Sequence, residues 1–322
     1  MGITIRTENT RDYAAIAALT QEAFEINFLD GNKPARFLGE VGLVDHLRSL
    51  EGFDPELSLV AEIDGRLAGH IMFVPYRQRL YRAVLNPACL QIVSVPPPFQ
   101  RRGVGTALIA EGLARSAAKG HPYSFLLGHD SYYPRFGFLT GTFGEAAIEV
   151  AQRDFTPAAL EEVAVQAFQL EALAGMHEAT FDGIPLASPA PERLLGWKSI
   201  SPFVTSAILM DGARPLAYIR RCELGGRPLV KAFAATSPVD ASRAISHLFS
   251  LYPGSESLSL PLHPASPILR GLPFTGKVDP WSAGMIKVLD DSCAPIKRYH
   301  EGVARDPSSA GQVLWPCFFD LI

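Results

Sequence analysis

Residues 95–109 of this chain read VPPPFQRRGVGTALI, in which three prolines, two adjacent arginines and two glycines separate a β-branched run from an apolar helical pattern. Proline ends a sheet ladder, and glycine lets a backbone turn tightly or lie close to a ligand. A helix that begins at such a turn presents N–H groups with no internal partner, and its dipole places about half a positive charge there. Arg101 and Arg102 add charge at the rim. Side chains larger than hydrogen at Gly103 and Gly105 would hold a phosphate off those N–H groups. The chemistry that suits this junction is anion binding. A dinucleotide fingerprint is excluded, because Leu108 stands where the third glycine belongs and no acid follows at the required distance. A Walker loop is excluded by the missing Gly-Lys-Ser/Thr.

A second reactive stretch is HDSYYPRFGF at 129–138. A phenol with its ordinary pKa near ~10 is protonated at neutral pH and can serve as a general acid, and Tyr132 and Tyr133 are both available. His129 and Asp130 stand beside them as proton acceptors. Glu62 and His70, within LSLVAEIDGRLAGHIMFVPYR, are further acceptors, and a substrate that arrives already deprotonated needs none. Each reading has a plain structural counterpart. The arginines could form a solvated face, Tyr133 could only pack, and loop acids and histidines serve turns.

The elements that position these residues are read from periodicity. Ile3 and Ile5 alternate in a first strand. Asn9 or Thr10 caps a helix that places Ile16, Leu19, Ala23 and Phe24 on one face. A helix around Val41–Leu50 follows. Two β-rich runs flank Asp64-Gly65, a two-residue hairpin signal. ACLQIVSV is a largely apolar strand leading into the junction. The helix after it turns Val104, Leu108 and Leu113 inward and ends at Gly120. YSFLLG is the next buried strand, with Phe136 and Phe138 beyond it as core. Strand, helices, antiparallel hairpin, then strand–helix–strand make a mixed α/β (α+β) fold.

QRRGVG, a Q-x-x-G-x-G pattern directly after a buried strand, together with YYPRFGF, resembles the GNAT superfamily of N-acetyltransferases over roughly the first 150 residues. The resemblance implies the GNAT acyl-CoA-binding fold with acetyl-CoA as co-substrate. It implies that Gln100, Arg101, Arg102, Gly103, Val104, Gly105 and Thr106 cradle the pyrophosphate with their backbone. Pantetheine would pair with Val93, Ser94 and Val95, and one N–H there would steady the oxyanion. Tyr133, four residues before Gly137, would protonate the departing thiolate. Many relatives carry a glutamate on the strand before the loop; here that strand offers only Gln91. The implied activity is acetyl transfer from acetyl-CoA to a primary amine of a small molecule, with a protein acceptor also open. The alternative from another class is a non-catalytic acyl-CoA-binding sensor or scaffold.

With 322 residues the chain exceeds one ordinary domain. SLVAEIDGRLAGHI at 58–71 aligns with TSAILMDGARPLAYI at 205–219, which points to a duplicated fold. In the second half TSPVDASRA stands where QRRGVG should, and the tyrosine element is missing. The expected division is residues 1–165 as the catalytic domain and 166–322 as a degenerate GNAT-like domain. A net charge of -4 without basic runs gives no invitation to nucleic acid or an anionic membrane. No apolar run reaches the ~18 residues of a membrane span. Four cysteines without a CxxC pair and scattered histidines argue against a metal site. The expectation is a cytoplasmic enzyme, open to homodimerisation, with the apolar end LWPCFFDLI docked.

Overall fold

A computed structural model describes residues 2–24, 39–50, 52–199 and 201–312. The apolar end LWPCFFDLI and Cys317 lie outside these residues. Along the chain run β1 (Thr4–Thr7), α1 (Tyr13–Phe24), α2 (Gly39–Arg48), β2 (Ser58–Ile63), β3 (Arg66–Pro75), two short strands β4 (Gln78–Leu80) and β5 (Ala83–Leu85), β6 (Ala88–Ser94), α3 (Val104–Ala118) and β7 (Tyr123–Leu127). Then come β8 (Phe143–Ala151), β9 (Glu161–Ala164), α4 (Leu170–Phe181), β10 (Thr205–Asp211), β11 (Arg214–Leu224), β12 (Arg227–Ala235), α5 (Pro238–Leu251), β13 (Ser257–Leu260), β14 (Thr275–Pro280), β15 (Gly284–Val288), α6 (Ala294–Arg305) and β16 (Gly311–Gln312). The mixed α/β architecture is the one read from the sequence.

Local chemistry explains the elements that bear on the junction. Asn9 accepts from the Arg11 N–H and Asp12 returns a bond to the Asn9 N–H, a capping box that starts the turn leading into α1. Ile16 and Leu19 of that helix are buried. Asp64 and Gly65 both take positive φ, 50° and 73°, which is what a tight turn between twisted strands requires. In β3, Gly69 is forced by packing: a Cβ there would lie 2.8 Å from Val104 Cγ1 and 3.0 Å from Leu108 Cδ1 of α3. Leu59, Ala61, Ile71, Phe73, Leu108 and Ile109 form the core between this sheet and α3.

The chain divides into two compact units, and neither is continuous in sequence. The first comprises Met1–Arg77, Leu85–Thr142 and Ser282–Arg305; the second comprises Gln78–Val84, Phe143–Trp281 and Asp306–Ile322. This corrects the expected division at 165/166. The first unit holds a six-stranded sheet in the order β1-β2-β3-β6-β7-β15. β15 pairs antiparallel with β7, Gly284 opposite Leu127 through Val288 opposite Tyr123. Met285, Ile286 and Tyr299 are fully or almost fully buried, and Tyr299 Oη donates to the Thr142 carbonyl at 2.6 Å. Loop-prone composition marks where a chain can bend, but says nothing about which distant strand closes a sheet edge.

The second unit has one sheet in the order β12-β11-β10-β9 and another in which β8 pairs with β13, β14 and β16. Strand, helix, hairpin, strand and helix recur here as β9, α4, β10–β11, β12 and α5. β9 pairs antiparallel with β10 as β1 does with β2.

Candidate acyl-donor site

In the first unit β6 and β7 run parallel, but their ladder covers only Ala88 opposite Ser124 and Cys89 opposite Phe125. Beyond Cys89 the two strands part, while β3 continues to pair with β6 as far as Ser94. The side of β6 that faced β7 is thereby released over its last residues, so an extended ligand can add to it as a strand would. Val93 and Val95 are half-buried here. Ser94 is fully buried and accepts from Thr20 Oγ1 of α1 at 3.1 Å.

The prolines then end the strand, with a short turn over Pro97–Phe99. Gln100 turns its amide back to donate to the Val95 carbonyl at 2.9 Å. It braces the loop from within, and the Val95 carbonyl already has a donor. Arg101 takes φ 59° and Gly103 φ 86°, both in the left-handed region. For Arg101 this costs of order 1 kcal/mol, and for Gly103 nothing. Gly103 is the first residue outside α3, and no side chain caps that helix. The amide groups of Val104, Gly105 and Thr106 therefore open the helix without the side-chain acceptor that begins α5. Arg101, Arg102 and Thr106 are exposed, and the Arg102 guanidinium lies 5.5 Å from the centre of the Phe99 ring.

The tyrosine element approaches the same loop from the end of β7. Residues Tyr133–Phe136 form a single 3₁₀ turn closed by Gly137 at φ 87°. The two tyrosines take different places. Tyr132 sets its hydroxyl 2.8 Å from where a Cβ on Gly105 would stand, so that glycine is required by the tyrosine as well as by any ligand. Tyr133 lays its ring against Gly128, where a Cβ would be 2.3 Å from the ring edge, and meets Phe138 edge-on at 6.1 Å. Burial, with a further contribution from Tyr132, pushes the Tyr133 phenol up to about 12. It is a proton carrier throughout the neutral range. Phe138 is core as expected, and Phe136 is half-buried.

The proton acceptors named from sequence separate clearly. Glu62 is taken by Arg6, whose guanidinium it accepts at 2.6 Å. His70 is fully buried; its Nε2 lies 3.0 Å from Ser58 Oγ and 3.3 Å from Glu8 Oε2. A carboxylate only accepts, so Nε2 carries the proton, and Nδ1 is buried without a hydrogen-bond partner among the described residues. Burial lowers the His70 pKa and keeps the imidazole neutral, against the pull of Glu8. His129 and Asp130 are exposed where β7 gives way to the tyrosine turn. Gln91 is engaged by its amide on Tyr76 Oη at 2.9 Å.

Arg135 was not singled out from the sequence. Its guanidinium lies 3.9 Å from the centre of the Tyr132 ring and 4.9 Å from that of Phe136. Nη2 donates to Thr106 Oγ1, in the first turn of α3, at 3.3 Å. An arginine set among aromatics was the signal, since such side chains stack. No group of His, Cys, Asp and Glu among the described residues could hold a metal ion. No helix among them is long and apolar enough to cross a membrane.

Residues 4–141 match the family model described as acetyltransferase (GNAT) domain. Over 105 residues the chain is 35% identical to the uncharacterized N-acetyltransferase YjhQ of Escherichia coli, an alignment covering 32% of this chain and 56% of that protein. The chain thus spans little more than half the length of this curated relative. Among solved structures, a probable N-acyltransferase from Enterococcus faecalis superposes with a TM-score of 0.67 at 15% identity, over 90% of this chain and 73% of that one. A GCN5-related N-acetyltransferase from Anabaena variabilis gives 0.64 at 13%, over 89% and 73%. At these identities the two structures share the fold of nearly the whole chain.

Proposed function

We propose that this chain, whose residues 4–141 match the GNAT acetyltransferase domain, transfers an acetyl group from acetyl-CoA to a primary amine of a small molecule. The observation that carries the reading is the parting of β6 from β7 after Cys89, directly before an uncapped helix start. An extended pantetheine fits the released edge at Val93 and Ser94, and a diphosphate fits the amides from Arg101 to Thr106.

The reaction follows from the groups that meet there. The amine nitrogen attacks the thioester carbonyl carbon, and negative charge collects on the carbonyl oxygen. A backbone N–H of β6 left without a strand partner stabilises that oxyanion. The C–S bond then breaks, and Tyr133 gives its phenolic proton to the departing thiolate. A phenol held near 12 is fully protonated at neutral pH, and its conjugate base recovers a proton at once. The proton lost by the amine leaves through the exposed His129–Asp130 stretch or directly to water, because Glu62 is held by Arg6.

The second unit serves as a degenerate copy in this reading. Its element order repeats that of the first, yet the start of α5 is closed by Ser237 and Asp240. The experiment is a thermal-shift series with acetyl-CoA, ATP and adenosine, followed by an amine panel monitored by thiol release. A ligand at 100 times its Kd should stabilise by about 2.7 kcal/mol. A shift with acetyl-CoA alone and thiol release with an amine support the reading. Absence of a shift in folded protein overturns it.

A further inference from the structure

We propose that Arg135, stacked on Tyr132, is the side chain that grips the diphosphate of the donor; this rests on the acetyl-CoA reading above. The arginines expected at the rim, Arg101 and Arg102, lie on the loop itself. Arg135 comes instead from the tyrosine turn and meets the first turn of α3. Its Nη2 is 3.3 Å from Thr106 Oγ1, and Thr106 supplies one of the amides that open the helix.

Three features suit it to a phosphate. Among the described residues its partners are a hydroxyl and two aromatic faces, so its charge is not neutralised by a carboxylate. Stacking on Tyr132 at 3.9 Å fixes the plane of the guanidinium before any ligand arrives. The planar fork then offers paired donors to phosphate oxygens, which an ammonium cannot do. Tyr132 holds the arrangement in register, since its hydroxyl lies against Gly105 of the loop. The adjacent tyrosines therefore divide the work: Tyr132 carries the anion grip, and Tyr133, packed on Gly128 and Phe138, is left to the proton transfer. Arg135 sits two residues from Tyr133 on one turn, so a seated diphosphate and a placed acid belong to the same element.

The test compares the affinities of CoA, dephospho-CoA and pantetheine for the wild type, Arg135→Gln and Arg135→Lys. Dephospho-CoA lacks only the 3′-phosphate, and pantetheine lacks every phosphate. Arg135→Gln should weaken CoA and dephospho-CoA by the same factor, about ten- to hundredfold, and leave pantetheine unmoved. Arg135→Lys should fall between, keeping charge and losing the fork. CoA affinity within twofold of the wild type in Arg135→Gln overturns the proposal. Weakening of CoA alone overturns it too, because the contact would then be to the 3′-phosphate, and equal weakening of all three would make the arginine structural. If the wild type binds CoA no better than pantetheine, the donor reading itself fails.

Discussion

Lys287 of β15 donates its ammonium to the Phe136 carbonyl at 2.6 Å, across 151 positions of sequence. The same nitrogen stands 2.7 Å from where a Cβ on Gly137 would project. The Gly128 N–H donates to Ala283, and Leu139 and Ile286 exchange backbone bonds. The turn that carries Tyr133 and Arg135 is therefore clamped at both ends by a strand arriving from the far end of the chain.

A fragment of residues 1–165, the expected catalytic domain, should accordingly fail as an independent unit. It leaves the β7 edge bare and removes Met285, Ile286 and Tyr299 from the core of the first unit. Burying those side chains supplies about 1.5–3 kcal/mol each, which is a large share of an ordinary domain's stability. Cooperative melting of that fragment near the temperature of the full chain would contradict this.

Tyr133→Phe should retain acetyl-CoA binding and lose roughly 100-fold or more in turnover. The ring packs on Gly128 and Phe138, contacts that phenylalanine keeps. With its phenol pushed up to about 12 by burial, the acid is lost only as pH rises through that value. The wild-type rate should thus show no alkaline limb attributable to this group below about pH 11. Turnover by the phenylalanine variant at the wild-type rate would move the acid elsewhere.

What was legible in the residues was local. The Asp64-Gly65 turn, a cap at Asn9 or its neighbour Thr10, the strand that runs into VPPPFQRRGVGTALI and the placing of Val104 and Leu108 under the sheet all follow from period and turn chemistry. Gly103 was read as an anion-site glycine, and its left-handed backbone adds a second reason for it. What was not legible was pairing at a distance. Nothing in GMIKV says that it closes the edge of a sheet begun 280 positions earlier, because β-pairing depends on register against a partner and not on the strand alone. Arg135 was hidden for the same reason, since its partner Thr106 lies 29 positions away.

Glu8 should prove a costly position although it lies outside the reaction path. Burial works to raise its carboxyl, but hydrogen bonds from His70 and Arg48 outweigh this and hold it down to about 2. Arg48 meets it with both Nε and Nη2, at 3.0 and 2.8 Å. Glu8→Gln leaves the nearly buried Arg48 guanidinium only the exposed Asp45 carboxylate, at 2.8 Å, and should cost about 2–4 kcal/mol, whereas replacing Glu8 and Arg48 together by leucines should recover part of it. The folded pKa lies below the ordinary carboxyl value of 4.5 that the unfolded chain keeps. The stabilisation is complete above that value and is lost as pH falls towards about 2. Denaturant melts of the single and double variants at pH 7 and pH 4 measure both effects, and a Glu8→Gln melt equal to wild type would refute the ion-pair account.

The second unit predicts the stoichiometry. Where α3 opens uncapped after Gly103, α5 begins with Ser237 accepting from the Asp240 N–H at 3.2 Å and donating to Asp240 Oδ2 at 2.9 Å. Thr236 also donates to that oxygen, and Arg214 contacts both carboxylate oxygens at 3.0 and 2.9 Å. Burial tends to raise the Asp240 pKa, yet the bonds from Arg214, Thr236 and Ser237 bring it to about 2. The chain's own carboxylate thus occupies the place at a helix start where a phosphate would otherwise sit. Calorimetric titration should therefore count one CoA per chain. Asp240→Ala keeps the Ser237 cap on the residue-240 N–H but should lower stability by about 1–3 kcal/mol through loss of the carboxylate's bonds to Arg214, Thr236 and Ser237, still with one CoA bound. The helix it uncovers has Pro238 at its start and no glycine to admit a phosphate. Two equivalents bound to the wild-type chain would show that the second unit has kept a donor site.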